Sequence, residues 1–194
     1  MALAGEQIRL RAIERSDAER CYGWFNDRDV TEHLGVRYPM SYATEQEWAE
    51  RASAANSYTG AQFAIEIAES GEYIGNCGMH DVSPLDRSAA VGIVIGAKEH
   101  WGQGYGTDAM RTLITFGFRD MNLRRIMLLV DEDHPGAIKS YERVGFQIEG
   151  RERAGHWSRG RAIDFLTMSI LREEFDERYG ASVPIGEGAG HGSA

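Results

Sequence analysis

Residues Trp101-Gly102-Gln103-Gly104-Tyr105-Gly106-Thr107 join an apolar strand, Val91-Gly92-Ile93-Val94-Ile95, to a long amphipathic helix through alternating glycines. That helix carries Met110, Leu113, Ile114, Gly117 and Phe118 on one face, at helical i, i+3, i+4, i+7, i+8 spacing. A helix start leaves its first N–H groups without partners and carries roughly half a positive charge. Glycines remove the Cβ atoms that would keep a phosphate away from those groups. The junction has the chemistry of a cradle for a phosphorylated ligand. It is not a P-loop, which needs G-x-x-x-x-G-K-[ST]. Nor is it the dinucleotide fingerprint G-x-G-x-x-G, because the third glycine falls one residue early, at Gly106. Taken alone, the turn fits a glycine-rich bend shaped for packing equally well.

Other chemistry-bearing residues are weaker signals. Asp131-x-Asp133-x-Pro135-Gly136 with Glu142 imitates a calcium loop. Proline supplies no side-chain oxygen, however, and the preceding segment reads as a strand where a helix is required. The six histidines show no metal-ligand spacing, so no metal is expected. Cys21 and Cys77 form no C-x-x-C pair and read as free, half-buried thiols.

The elements that must position the glycine turn follow from patterning. With 194 residues, 42% hydrophobic and 26% charged, the chain reads as one globular domain with a real core. Its longest apolar run, Ile126-Met127-Leu128-Leu129-Val130, is far short of the ~20 residues of a membrane helix. The early charges of the N-terminus give no signal core, so the cytoplasm is the expected compartment. A net charge of −9 without a basic tract argues against nucleic acid as partner. Ile8 to Ala12 alternates as a strand. Ser16 with Glu19, and Thr44 with Glu47, read as capping boxes opening helices to about Phe25 and Ala55. Strands follow at Gln62 to Ala68, at Tyr73 to Val82 and up to Ile95. After the long helix, Arg125 to Val130 has the continuous apolar run of a strand covered on both faces. Pro135 and Gly145 bracket another helix. Phe146 to Arg153 and Arg161 to Ile170 close as a hairpin, and a short helix reaches Tyr179. Gly180 to Ala194, rich in Gly and Ala, is expected to be a disordered tail.

A second stretch, His134-Pro135-Gly136-Ala137-Ile138-Lys139-Ser140-Tyr141-Glu142-Arg143-Val144-Gly145-Phe146, lies about 30 residues beyond the glycine turn. Together the two resemble the GCN5-related N-acetyltransferase (GNAT) superfamily. Its ribosomal-protein alanine and spermidine acetyltransferase branch pairs Q/R-x-x-G-x-G with N-x-x-A-x-x-x-Y-x-x-x-G-F. Ile8-Arg9-Leu10-Arg11 and Gly155-His156-Trp157-Ser158-Arg159-Gly160-Arg161…Asp164 look like the same branch, so the resemblance spans roughly residues 6–175. It implies a mixed α/β domain over residues 1–179, with a central, mostly antiparallel sheet of about seven strands and helices on both faces. Three positions depart from the pattern. Trp101 replaces Gln or Arg, His134 replaces Asn, and Ala90 stands where many relatives carry a Glu.

The resemblance further implies acetyl transfer from acetyl-CoA to a primary amine. The diphosphate would lie on Trp101, Gly102, Gln103, Gly104, Tyr105, Gly106 and Thr107, and the pantetheine amides would pair with the edge of Ile93, Val94 and Ile95. His134, Ala137 and Lys139 would complete the cofactor contacts, and Tyr141 would be the acid that protonates the departing thiolate. A thiolate of pKa near ~8.5 meets a phenol near ~10 that is still protonated at neutral pH. Tyr141 also lies on an apolar helix face with Ala137, Ile138 and Val144, where tyrosines are commonly core residues. Without a glutamate at Ala90 the base is unassigned; Glu66, His80 and Asp81 lie on or beside neighbouring strands but are as readily surface residues. A lysine-like amine of pKa ~10.4 costs roughly 4–5 kcal/mol to deprotonate at pH 7, an α-amine near ~7.8 only about 1. The expected acceptor is therefore a protein N-terminal α-amine, with a polyamine, an aminoglycoside or a turnover-deficient CoA-binding module as rivals. Glu32, Glu45 and Glu47 would suit an acidic mouth or a solvated helix face. Trp157, at a hairpin tip, is the tryptophan expected to touch the acceptor, whereas Trp24 and Trp48 are expected to pack. A monomer or a homodimer, paired through an exposed edge near the C-terminus, fits equally.

Overall fold

The computed structural model describes residues 2–54, 56–57 and 59–180. Eight strands make one sheet: β1 (Leu3–Ala4), β2 (Ile8–Ala12), β3 (Ala61–Ile67), β4 (Tyr73–Ser83), β5 (Ser88–Ile95), β6 (Arg125–Asp131), β7 (Gln147–Ser158) and β8 (Arg161–Leu171). Their spatial order is β1-β2-β3-β4-β5-β6-β8-β7. Every neighbouring pair is antiparallel except β5 and β6. The expected mixed, mostly antiparallel sheet is present, with one strand more than the sequence suggested. The addition is β1, whose two residues pair with Leu10 and Arg9 and are too few to show a period.

Five helices complete the domain: α1 (Ala18–Phe25), α2 (Tyr42–Ala54), α3 (Tyr105–Arg119), α4 (Pro135–Val144) and α5 (Arg172–Tyr179). Both N-terminal helices begin under different caps from those expected. The Glu14 N–H donates to Asp17 Oδ2 (2.8 Å), so a short 3-10 turn, Arg15–Asp17, comes before α1. The Thr44 N–H donates to Ser41 Oγ (3.1 Å), so the cap of α2 is Ser41. The tail expected from Gly180 onward lies, apart from Gly180 itself, outside the described residues.

Alternate residues of β3 belong to different cores, which puts helices on both faces as expected. Phe63 and Ile65 join Met110, Leu113, Ile114, Phe118 and Phe175 in the main core under α3 and α5. Ala64 joins Ile13, Ala18, Cys21, Ala49 and Ala52 in a smaller core under α1 and α2. Cys21 and Cys77 are free and fully buried rather than half-buried, and burial pushes both thiols up. Trp24 and Trp48 pack against the smaller core. The apolar run of β6 is covered on one face only: Ile126, Leu128 and Val130 are buried, whereas Leu129 is 44% exposed. Among the described residues no helix is long and apolar enough to cross a membrane.

The seat of α3 is fixed at two points. Gly117 lies against Met79 and Ile126, where a Cβ would collide with the Met79 side chain. Asp108, in the first turn, accepts the N–H groups of Glu6 (3.2 Å), Gln7 (2.6 Å) and Ile8 (3.1 Å) and pairs with Arg111 (2.6 Å). Burial alone would raise this carboxyl; the bonds from Gln7, Arg111 and Glu6 outweigh it and hold the group below the ordinary carboxylate range. A folded pKa below the unfolded one contributes stability that is full above about pH 4 and is lost as pH falls through the folded value. Asp108→Ala should thus lower stability by about 2–4 kcal/mol at pH 7, because buried N–H donors lose their acceptor. In urea titrations the gap from the parent protein should narrow below about pH 4; a gap constant from pH 7 to 3 would contradict this role.

Candidate active site

Parallel pairing between β5 and β6 runs through Ser88↔Arg125, Ala89↔Ile126 and Ala90↔Met127, where it ends. The antiparallel ladder with β4 continues to Ile95↔Gly75. From Val91 to Ile95, β5 therefore has one paired edge and one edge free of a strand partner. This is the segment whose backbone was expected to pair with an extended ligand. One of its groups is engaged from within the chain, since the Trp101 indole N–H donates to the Ile95 carbonyl (2.7 Å). Glycine is required at the end of this ladder: at Gly75 a Cβ would strike the Val94 carbonyl, and at Gly96 the Trp24 ring.

The turn beyond β5 uses its glycines unequally. Gly102 and Gly104 have φ of 74° and 92°, in the left-handed region, and Gly104 is the N-cap of α3. Gly106 sits inside the helix with ordinary backbone angles and 3.6 Å of room from a Cβ to Ile95. The first helical bond runs from the Asp108 N–H to the Gly104 carbonyl (3.0 Å). The amides of Tyr105, Gly106 and Thr107 come before it and face the open end of the helix. Gly102, Gln103 and Gly104 are exposed, as a ligand cradle requires.

The helix α4 begins beside this turn. Pro135 opens it, and Gly145, at φ 115°, closes it. Thr107 Oγ1 and Ser140 Oγ are 2.8 Å apart, bonding the first turn of α3 to the residue before Tyr141. Ala137, Ile138 and Tyr141 pack against the main core, while Lys139 is exposed. The Tyr141 ring lies 6.0 Å from Phe146, and burial pushes its phenol up to about 12. The group stays protonated across the physiological range.

On the sheet face away from α3, a cavity of about 290 Å³ opens over β4 and β5. Gln62, Asn76, Gly78, His80, Gly92 and Val94 form its floor, and Phe25, Leu34 and Val36 form its wall. A wider cleft of about 860 Å³ lies next to it, between residues 25–39 and the β7–β8 hairpin, and Trp157 lines it as expected. The acidic mouth is not formed. Glu45 is 2% exposed on the inner side of α2, where burial raises its carboxyl. Glu32 pairs with Arg159 (2.8 Å), and Asp29 with Lys98 (2.9 Å). The alternative of a solvated helix face fits Glu47, which is exposed, but not Glu45, because the turn that carries it packs inward.

Sequence spacing also missed a cluster that fastens the cleft to the sheet. Asp131, 2% exposed at the end of β6, is bonded by His156 Nδ1 (2.7 Å) and His33 Nδ1 (2.9 Å). The His33 ring stacks on His134 at 4.1 Å. Burial first, and then the neighbouring His33, lowers the His134 imidazole below its ordinary value. The nearby Asp133 is paired with Arg161. Residue 134 thus holds the loop of residue 33, a job an asparagine could not do by ring stacking. Of the candidate bases, Glu66 is bound to Arg11 (2.5 Å). His80 lines the smaller cavity and bonds Asp81 (2.9 Å).

Comparison with known proteins follows the same outline. Residues 7–147 match the family described as the acetyltransferase (GNAT) domain. The uncharacterized N-acetyltransferase p20 of Bacillus licheniformis is 29% identical over 171 residues, covering 88% of this chain and 96% of that one. The putative ribosomal N-acetyltransferase YdaF of Bacillus subtilis is 28% identical over 184 residues, covering 88% and 94%. The crystal structure of spermidine N-acetyltransferase from Vibrio cholerae, in complex with CoA and spermine, superposes with a TM-score of 0.78 at 28% identity, covering 87% of this chain and 98% of that one.

The unequal glycines can be tested directly. Gly104→Ala should cost about 1–2 kcal/mol, from a Cβ in the left-handed region, and should weaken CoA binding measured by calorimetry at least tenfold. Gly106→Ala should change stability by no more than about 0.5 kcal/mol. Equal effects of the two substitutions on folding would refute the distinction.

Proposed function

The chain belongs to the GNAT acetyltransferase family and is an acetyl-CoA-dependent N-acetyltransferase; from that premise we propose that it acetylates the N-terminal α-amine of a peptide or protein. The observation that carries the choice of acceptor is the larger cleft, whose carboxylates already have cationic partners; the free edge of β5 beyond Ala90 supports the line along which the cofactor would lie. A carrier with a diphosphate at one end and amides along its arm fits that line. Its phosphates meet the amides of Tyr105 to Thr107, with Trp101, Gly102, Gln103 and Gly104 shaping the approach. Its amides lie along Ile93, Val94 and Ile95. His134, Ala137 and Lys139 border the arm from the start of α4.

The role of each residue follows from its surroundings. A backbone N–H on the free edge of β5 supports the oxygen on which charge develops. Tyr141 donates a hydrogen bond to the leaving sulfur and supplies its proton. The Thr107–Ser140 bond keeps the two helices in register, so the arm and the phenol are set by one contact.

Charge in the larger cleft favours a peptide over a polyamine. Its carboxylates at Glu32 and Asp29 already have cationic partners, and Arg28 and Arg37 add positive charge to the lining. A polycation needs carboxylates left over for it. An α-amine also reaches its neutral form at the lowest cost. The polyamine reading is favoured by one specific finding, the likeness to a spermidine acetyltransferase.

Thiol release from acetyl-CoA, with Ala-initiated peptides and spermidine compared, separates the two. The expected result is a higher kcat/KM for the peptides; a tenfold preference for spermidine would reverse the assignment, and CoA binding with no release on any amine would leave only a binding module. Tyr141→Phe should lower kcat about 10²–10³-fold with CoA affinity kept. Because the phenol sits near 12, the parent profile should show no loss of activity from this group up to about pH 11. Unchanged turnover in Tyr141→Phe would remove it as the acid.

A further inference from the structure

The reaction needs a group to receive the acceptor's proton, and Ala90 offers none. Directly across the β4–β5 ladder from Ala90 stands His80. Resting on the acetyltransferase reading above, we propose that His80, held by Asp81, is the general base that takes the proton from the acceptor amine.

Three observations carry the assignment. Asn76, Gly78 and His80 alternate along β4 and share one face with their partners Val94, Gly92 and Ala90. One cavity includes His80 at one end and Val94, on the free edge, at the other. The floor between them is glycine. At Gly92 a Cβ would meet nothing within 4 Å, so this glycine is not required for packing and leaves the path between imidazole and acyl site clear.

Secondly, the ladder breaks after His80. Its register shifts between His80 and Ser83, and Asp81 adopts φ 49°. Aspartate is among the few non-glycine residues that enter that region readily. Here the bulge turns the Asp81 carboxylate back onto His80 Nδ1, at 2.9 Å. A carboxylate only accepts hydrogen bonds, so Nδ1 carries the hydrogen and Nε2 keeps its lone pair.

Thirdly, the surroundings leave the imidazole free to exchange protons. Its side chain is 61% exposed and that of Asp81 85%. Asp81 is the charged group paired with it; Ala90 across the ladder and Gln62, Phe25, Leu34 and Val36 around the cavity carry no charge. The rival Glu66 is held by Arg11.

In the step itself an ammonium acceptor gives one proton to His80 Nε2, directly or through one water. The freed lone pair forms the C–N bond to the acyl carbon, and the C–S bond breaks. The thiolate takes the Tyr141 proton. The second proton on nitrogen returns through solvent to the Tyr141 phenolate, and His80 releases its own to solvent. One amide, one thiol and one proton result.

The test uses the whole protein with acetyl-CoA and three acceptors: an Ala-initiated peptide, spermidine, and water alone. His80→Gln should lower the rate about 10²-fold or more at pH 7. Asp81→Asn should lower the rate less than His80→Gln does, because it frees the ring without removing it. A readout without acetyl-CoA is 15N NMR of the histidine rings, which should find the Nδ1–H tautomer at His80 in the parent protein and lose it in Asp81→Asn. An unchanged rate in His80→Gln, or the Nε2–H tautomer in the parent, would overturn the assignment and leave the acetyltransferase reading intact. No turnover of the parent with any acceptor, water included, would overturn both.

Discussion

The constraint on which the molecule turns is the loss of pairing between β5 and β6 after Ala90. Three rungs of parallel ladder hold the strands together, and beyond them the backbone of β5 has hydrogen-bonding groups on one edge with no strand to meet. Such groups demand partners. The Trp101 indole meets one, at Ile95, and an extended amide-bearing ligand is the natural partner for others. These two strands are also the parallel pair of the sheet, and each leads into a helix at its carboxyl end. Ligands of open sheets bind in the crevice beyond the carboxyl ends of parallel strands. Here α3 brings an open N-terminus to the crevice, and α4, bonded to α3 through Ser140, carries the phenol proposed as the acid.

Holding the crevice at a fixed width requires that α3 and α4 not slide. Gly117 brings α3 against Met79 and Ile126, and Asp108 ties its first turn to the start of β2. The Thr107–Ser140 bond then refers α4 to α3. On the far side, Asp131 at the tip of β6 receives His33 and His156, so the same strand whose departure opens the crevice also anchors the loop that walls the larger cleft. A buried carboxylate with two imidazole partners is expensive unless both stay in place. The cost favours one arrangement of the cleft over many.

The sequence disclosed most where local chemistry is strong. Pro135 and Gly145 mark both ends of α4, because proline suits the first turn and glycine the left-handed close. The strand–glycine–helix order of β5 and α3 was likewise visible, and its likeness to a family named the fold. What stayed hidden is what depends on distant residues. The parting at Ala90 depends on where β6 turns away, which the residues of β5 do not carry. The continuous run of β6 reads as buried on both faces, but helices cover one face only, and Leu129 is exposed on the other. Glu45 carries no sign of its burial, and His33, His134 and His156 lie too far apart in sequence to suggest their meeting at Asp131. The cross-strand pairing of His80 with Ala90 required the register.

The two groups proposed to handle protons, Tyr141 and His80, occupy opposite environments, and the difference suits the tasks proposed for them. A phenol near 12 facing a thiolate near ~8.5 in water would transfer its proton uphill by roughly 5 kcal/mol. The burial that raises the phenol also raises a sulfur held beside it, because both anions lose the same solvent. In the proposed step the gap would therefore close as the C–S bond breaks, with the phenol meeting a developing thiolate rather than a free one. An imidazole that must pick up a proton from each incoming ammonium and discard it before the next has the opposite need. Ready exchange with water serves it better than desolvation, and exposure at the rim of the cavity provides that. A sheet opened between β5 and β6 supplies both environments, a packed helix face on one side and a solvated strand end on the other.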